Sequence, residues 1–516
     1  MSRLTARPYT PRGNAAVWWG IAGLTVLAAA LRFTDLGGQS YWGDEALTVS
    51  ELHGSLTHTM SLALGQETTP PLYFVVAWIW TQFFGTGEVG LRSLSAVAGV
   101  ALIPLAYLVG VTVAGRRLGM LVAALVAFNP FLIWYSQEAR AYSLFIALSA
   151  VSWLFFLRYA RGGRRNDLIL WTAASVLALV THFFAVFIVG AQCLWLLYRE
   201  WPNARWALAA VGLWTLALLP MAIEDLGHGV GWIADTPLEE RLATVPSEFL
   251  IGRLAQWSQA GPLLVLIAVA VSGLVCSALV GRNAMPSRPA RALVIAVSAA
   301  ALGPIVLALA GADFIDPRNM SALWLPVTIV FAAAGLRKSA VLGGAVGIVV
   351  AAGGLAATIA IASNPTLQKT DWRAVVRALG PAHRARVVIA DAPASEPLAI
   401  YLRSRPARAR PQEISEIDIV RRVQGTAQAK LCNARTCRPA PKTIPNMRLG
   451  RPISPYRRVG ELVVGRWTVH RRRLGVSQTR AAVTRLVHRL NPAHPHTVGI
   501  YVQPAARKHR RRQHAG

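Results

Sequence analysis

Apolar residues in this chain come in long continuous runs, not at the spacing of an amphipathic helix or strand. The runs cover 15–31, 93–114, 118–134, 141–157, 168–198, 206–223, 261–280, 292–310, 320–335 and 340–362. A hydrocarbon core about 30 Å thick takes roughly 20 residues of α-helix. Each run therefore predicts one crossing, except 168–198, which holds two short helices turning near Thr181-His182. Gly and Pro interrupt several runs, which spanning helices tolerate because neighbours satisfy the released backbone groups. The pattern predicts a polytopic α-helical membrane protein of about eleven spans, with no solenoid-type repeat.

The pattern changes after residue 362. Asp371-Trp372-Arg373 opens an amphipathic stretch, Val387 to Ala390 reads as a strand, Glu396 to Leu402 as a helix, and Glu461 to His470 as a strand. The expected organisation is a basic N-terminus at 1–14, a spanning domain at 15–362 with its first outer loop at 34–69, and a small C-terminal α/β extracytoplasmic domain at 363–470. Residues 471–516, rich in Arg, His and Pro, are expected to form a mobile basic tail.

Composition agrees: 54% of the 516 residues are hydrophobic, with mean hydropathy +0.42. The net charge of +29 is uneven, since residues beyond 362 hold 31 Arg and Lys against 7 Asp and Glu. No nucleic-acid-binding motif accompanies this charge, so anionic lipid headgroups or acidic wall polymers are the expected partners, not nucleic acid. Arg3, Arg7 and Arg12 precede a first run without a small-x-small cleavage site, which reads as an uncleaved anchor.

Basic residues in short loops mark the cytoplasmic side. They lie at the N-terminus, Arg116-Arg117, Arg158 to Arg165, Arg199 to Arg205, Arg282 to Arg291 and Arg337-Lys338. The loops poor in them, 35–69, 135–139, 224–260 and 311–317, then face outward together with the C-terminal region. One parity conflict follows. Either Pro70 to Phe84 is a short helix that does not fully cross, or Arg116-Arg117 lies outside.

The acidic and aromatic features gather on that outer side. Asp44 and Glu45 adjoin in Tyr41-Trp42-Gly43-Asp44-Glu45, just past the first run. A second polar cluster runs Trp134-Tyr135-Ser136-Gln137-Glu138-Ala139-Arg140-Ala141-Tyr142. Charged residues at mid-bilayer cost roughly 2.5–3.5 kcal/mol each, so they persist at an interface or in a wet cavity. Both clusters read as parts of one polar site, with Asp44 suited to act as a general base and Glu45 to orient it, hold a substrate hydroxyl or bind a metal. Trp42 and Tyr41 offer a flat surface for a sugar ring. A helix over 134–142 puts Glu138 and Tyr142 on one face with Tyr135, and leaves Arg140 for an anion. Glu67, Tyr73, Arg92, His182 and Arg318 are further candidates. Each also has a structural reading: a solvated acidic loop end, an aromatic belt, a capped histidine or an interfacial arginine.

Asp44-Glu45, Pro70-Pro71-Leu72-Tyr73, Arg92-Ser93, Asn129-Pro130 followed by Trp134 to Arg140, and Thr181-His182-Phe183 occur in that order. Together they resemble the membrane glycosyltransferases of the GT-C fold, in the branch related to protein O-mannosyltransferases and aminoarabinose transferases. The resemblance covers roughly residues 15–340, and Gln137-Glu138-Ala139-Arg140 is its most distinctive string. Asp371-Trp372-Arg373 also looks like the start of the outer domain in bacterial members.

The resemblance implies inverting transfer of a sugar, mannose first, from a polyprenyl-phosphate carrier to a glycan, lipid or protein acceptor outside a bacterial plasma membrane. It implies Asp44 as base with Glu45 in support, and Arg92, Arg140 or Arg318 on the departing phosphate. Trp42, Glu67, Tyr73, Tyr135, Gln137, Glu138, Tyr142 and His182 then contact substrate. Several relatives carry His or Lys before the Pro-Pro pair where this chain has Thr69, which leaves open whether Asp44 and Glu45 hold a divalent cation, Mg or Mn. Two other classes compete: a transporter or lipid flippase, disfavoured by one-sided polar residues and unmatched halves, and a non-catalytic envelope scaffold.

Cys193 and Cys276 lie in apolar runs and read as packing residues. Cys432 and Cys437 lie close together in a polar stretch, which suits a small disulfide if that stretch is extracytoplasmic, or more weakly a zinc site.

Overall fold

The structure, a computed structural model, describes residues 15–65, 67–226, 233, 236–256, 287–383, 386–390, 392–402, 416–422, 436–437, 456–459, 462–468 and 499–503. Its contacts divide into two units. One comprises the described residues up to Leu36 and those of Leu52–Leu367; the other comprises Gly37–Glu51 with those described from Gln368 onward.

The first unit is helical because its Leu-, Ala- and Val-rich runs must satisfy every backbone group internally when no water is at hand. In chain order it has α1 (Ala15–Phe33), and, beyond the second unit's helix α2 (Gly43–Glu51), α3 (Leu56–Gly65), α4 (Leu72–Phe84), α5 (Glu88–Ala114), α6 (Arg116–Phe128) and α7 (Pro130–Ser136). It continues with α8 (Tyr142–Gly162), α9 (Arg165–Leu179), α10 (Ala185–Leu226), α11 (Leu238–Ile251), α12 (Arg288–Leu309), α13 (Trp324–Lys338) and α14 (Ala340–Ser363). Six helices are long and apolar enough to cross a membrane, or seven if the bent pair α6–α7 makes one span. Apolar side chains such as Leu213, Leu216, Ile348 and Val349 are exposed on them, as lipid-facing surfaces require. The chain is a multi-pass helical membrane protein. The expected span at 261–280 lies outside the described residues.

Helix boundaries follow local chemistry. Asn129 caps α7 by accepting the Leu132 N–H (3.0 Å) ahead of Pro130, and the axis turns by 60° between α6 and α7. Thr181-His182 separates α9 from α10, as the pattern predicts. In α10 the backbone leaves helical geometry at Glu200 (φ −138°, ψ 19°), just before Pro202, whose ring lacks the N–H that would continue the ladder. Helix α4 has 13 residues, about 20 Å of rise, short of a full core thickness. Helices α5 and α6 pack closely because Gly110 and Gly119 meet: a Cβ at Gly119 would stand 2.7 Å from the Tyr107 carbonyl oxygen.

The stretch 134–142 is not one helix. Gln137 leaves helical geometry (φ −104°, ψ 21°), α7 ends at Ser136, and Gln137 to Ala141 form a turn before α8. The face expected to join Glu138 to Tyr142 is therefore absent.

In the second unit α15 (Trp372–Leu379) and α16 (Ala392–Leu402) accompany a six-stranded sheet. Its strands are β1 (Arg386–Ala390), β2 (Glu416–Arg422), β3 (Thr436–Cys437), β4 (Tyr456–Val459), β5 (Leu462–Thr468) and β6 (Gly499–Gln503), in the order β3-β4-β5-β2-β1-β6. Strands β1 and β2 run parallel with α16 between them in the chain, and every other pair is antiparallel. Among the described residues this unit combines helices and strands, and two features differ from the pattern's reading. Gly37–Glu51, assigned by pattern to the spanning domain, clusters with this unit. Residues 499–503 of the expected mobile tail form β6 against β1, because a strand edge left open there offers a row of backbone hydrogen bonds. Cys432, and with it the expected Cys432–Cys437 bridge, lies outside the described residues.

Its core is Trp372, Val375, Leu379, Val388, Ala390, Leu398 and Val420. Arg386, buried, pairs with Asp418 (3.0 Å) and donates to the Leu379 and Gly380 carbonyls (2.7 Å each), closing the C-terminal end of α15.

Candidate active site

In the first unit the charged residues of the Glu138 cluster converge with loop residues from distant parts of the chain. Arg140, in the turn before α8, donates both terminal nitrogens to the two carboxylate oxygens of Glu67, each at 3.1 Å. Both side chains are buried. A planar guanidinium meets a carboxylate through two parallel bonds, so Glu67 fixes the plane of Arg140 as well as its charge. Glu138 is buried in the same turn, where its carbonyl accepts the Arg140 N–H (2.9 Å).

A line of rings lies beside this pair. Phe131 and Tyr135 of α7 meet edge to face at 4.8 Å, Tyr135 meets Tyr142 at 5.1 Å, and Tyr142 meets His182 at 5.7 Å. His182 stacks on Phe145 (4.6 Å, 13°). Its Nδ1 accepts the Phe184 N–H (3.2 Å), which places the ring proton on Nε2. Burial, reinforced by the charges of Arg140 and Arg318, pushes the imidazole down to about 3. His182 is thus a neutral ring offering one N–H donor. The Leu72 N–H, the first after Pro70-Pro71, donates to the Val180 carbonyl (2.9 Å) and docks that motif on the same turn. Tyr73 is buried just beyond it.

Arg318 reaches the site from the loop between α12 and α13. Asp316 accepts both its Nε (3.1 Å) and its backbone N–H (3.0 Å) through one oxygen. Tyr135 feels Glu138, Glu248, Asp316 and Arg318 at once, so these groups share one electrostatic neighbourhood. The loop is anchored by Arg241 of α11, which clasps Asp313 through two nitrogens and donates to the Ile315 carbonyl (3.1 Å). That hydrogen-bonded guanidinium holds the Asp313 carboxyl below the usual range. A small gap lined by Phe145, Phe184, Phe187, Pro304, Asn319 and Met320 among others adjoins His182 through Phe145 and Phe184.

Two predicted site residues do architectural work. Arg92 is buried and donates to the Leu36 carbonyl (2.7 Å), tying α5 to the chain leaving α1. The Gln137 amide donates to the Leu31, Arg32 and Thr34 carbonyls (3.2, 3.3 and 2.9 Å), satisfying the C-terminal end of α1.

Asp44, Glu45 and Trp42 belong to the second unit. Asp44 and Glu45 form the first turn of α2; Asp44 and Trp42 are half-buried and Glu45 fully buried. One Glu45 oxygen accepts the Trp42 N–H (3.3 Å) and meets Lys369 Nζ (3.2 Å). Among the described residues no three of His, Cys, Asp and Glu converge as metal ligands, and Glu45 is already engaged by Lys369 and Trp42.

Spacing missed Lys369, Glu248, Arg241 and Arg32. The signal for Arg241 was a lone base among Glu239, Glu240 and Glu248, opposite in charge to the acidic Asp313–Asp316 loop. Arg32, at the end of α1, is fully buried and donates to the Val126 and Ala127 carbonyls (2.9 and 3.1 Å).

No family model and no curated protein matches the chain. Among solved structures, it is similar to ArnT from Cupriavidus metallidurans in the apo state, at 14% identity and TM-score 0.47, covering 88% of this chain and 98% of that one. The same protein bound to undecaprenyl phosphate gives 14% and 0.40 over 87% and 98%. The Archaeoglobus fulgidus oligosaccharyltransferase tethered to an acceptor peptide gives 11% and 0.42 over 70% and 57%. At these identities and TM-scores the likeness carries no function over to this chain.

Proposed function

We propose that the protein is an inverting glycosyltransferase. It moves a sugar, mannose by resemblance, from a polyprenyl-phosphate carrier to an acceptor hydroxyl at the outer face of a bacterial plasma membrane. The observation that carries this reading is the buried Arg140–Glu67 pair in the turn next to Tyr142, whose ring joins Tyr135 and His182 in a line of aromatic rings. Cations beside a flat apolar wall suit a sugar phosphate: guanidinium for the phosphate, rings for the sugar.

In the proposed step the acceptor oxygen attacks the anomeric carbon opposite the phosphate. The bond from that carbon to the phosphate oxygen breaks, and polyprenyl phosphate leaves with the electron pair. The resemblance of its motif gives Asp44 the role of the base that takes the hydroxyl proton. A second negative charge develops on the departing phosphate, so Arg140 and Arg318 bind the transition state more tightly than the ground state. The Nε2–H of His182 adds a neutral donor that needs no proton balance. Arg92 and Gln137 serve the scaffold instead.

The test is sugar transfer by the purified chain from radiolabelled polyprenyl-phospho-mannose to an envelope extract. Asp44→Asn is expected to lower turnover by about 10²–10⁴-fold, the range for a general base. Wild-type turnover in that variant removes Asp44 from the base role. Labelled donor crossing proteoliposomes without transfer supports a transporter instead.

A further inference from the structure

Helix α2 has nine residues, too few to be stable alone, and its preceding residue, Trp42, is not a capping type. What fixes its start, and with it Asp44, comes from the far end of the chain. The backbone N–H of Tyr41 donates to the Tyr401 hydroxyl of α16 (2.7 Å). Ser40 Oγ donates to Asp371 (3.2 Å), and Arg373 donates to the Gly37 and Gly38 carbonyls (2.7 and 3.0 Å). Glu45 reaches back to the Trp42 N–H in the manner of a capping box, and the same oxygen is held by Lys369. The Lys369 and Glu45 side chains are 7% and 0% exposed, so this pair is desolvated.

We infer that Lys369 is a positioning residue for Asp44, and that the stretch leading into the outer domain is a working part of the reaction centre. This rests on the base role proposed for Asp44. Lys369 neutralises the carboxylate next in sequence to the base and pins the turn that carries both. Without it the buried Glu45 carboxylate loses its charged partner and the turn that carries Asp44 loses an anchor. A displacement of about 1 Å at a reacting group can cost on the order of 10²-fold in rate.

The experiment compares Lys369→Met, Lys369→Arg, Tyr401→Phe and Asp44→Asn in the full chain, using polyprenyl-phospho-mannose as donor and an envelope lipid extract as acceptor. Lys369→Met is expected to lower kcat by about 10²-fold with the donor KM unchanged, and Lys369→Arg to restore most of it. Tyr401→Phe removes one hydrogen bond and is expected to lower kcat about threefold to tenfold at unchanged Tm; it decides the matter if Lys369→Met does not fold. Wild-type kcat in both Lys369→Met and Tyr401→Phe, with Asp44→Asn inactive, overturns the inference and leaves the base reading standing. Wild-type kcat in Asp44→Asn overturns both.

Discussion

Each unit of the molecule buries an acid–base pair that sequence spacing does not join, and the two are built differently. In the first, Arg140 and Glu67 meet through two parallel bonds at 3.1 Å, with a second cation, Arg318, acting on the same imidazole. In the second, Lys369 makes a single 3.2 Å contact with Glu45, whose same oxygen also takes a backbone N–H. The first geometry fixes the plane of a guanidinium. The second holds the start of a helix. Arg and Lys are therefore not interchangeable between them.

The comparison is broken most severely at Arg140. Arg140→Leu leaves Glu67 buried without its partner and is expected to destabilise the protein by about 3–5 kcal/mol. The double variant Glu67→Leu/Arg140→Leu should recover most of that stability but not sugar transfer. Thermal unfolding in detergent and transfer rates, measured on the same preparations, separate the two. Recovery of activity in the double variant would reduce Arg140 to a structural role.

A pH-dependent effect, small at neutral pH, comes from His182. Its folded value of about 3 lies below the ordinary 6.5, so the unfolded chain binds more protons between those limits. Its contribution to stability is present above pH 6.5 and is lost as pH falls toward 3, at up to about 1.4 kcal/mol per unit. Stability of His182→Asn should depend less on pH across that window. Equal slopes for variant and wild type would contradict the buried neutral ring.

The smallest change is expected from Gln137→Leu. It strips three carbonyls at the end of α1 of a shared donor and should cost about 1–2 kcal/mol without altering donor KM. A large rise in donor KM at unchanged stability would return Gln137 to the substrate site.

Much of this was legible in the sequence. Run length located the helices, the Asn129-Pro130 break and the turn at Thr181-His182, because membrane burial forces apolar continuity and Pro interrupts it locally. The strand at Val387 and the helix at Glu396 were visible for similar local reasons. Long-range pairing was not. Nothing near Glu67 announces Arg140, and nothing near Glu45 announces Lys369. Arg92 and Gln137 carry the chemistry of ligand-binding residues, and only three-dimensional placement shows their donors spent on backbone carbonyls. The helix expected across 134–142 failed for the same reason: Gln137 is committed to the end of α1, so the chain turns where local propensity would have continued.

The central claim is that a sugar leaves its lipid phosphate here by direct displacement. Its most direct measurement is the anomeric configuration of the product, read by NMR, together with polyprenyl phosphate released per sugar transferred. The account predicts an inverted anomer and one phosphate per transfer. A retained configuration, or sugar carried across the bilayer still attached to its donor, would contradict it.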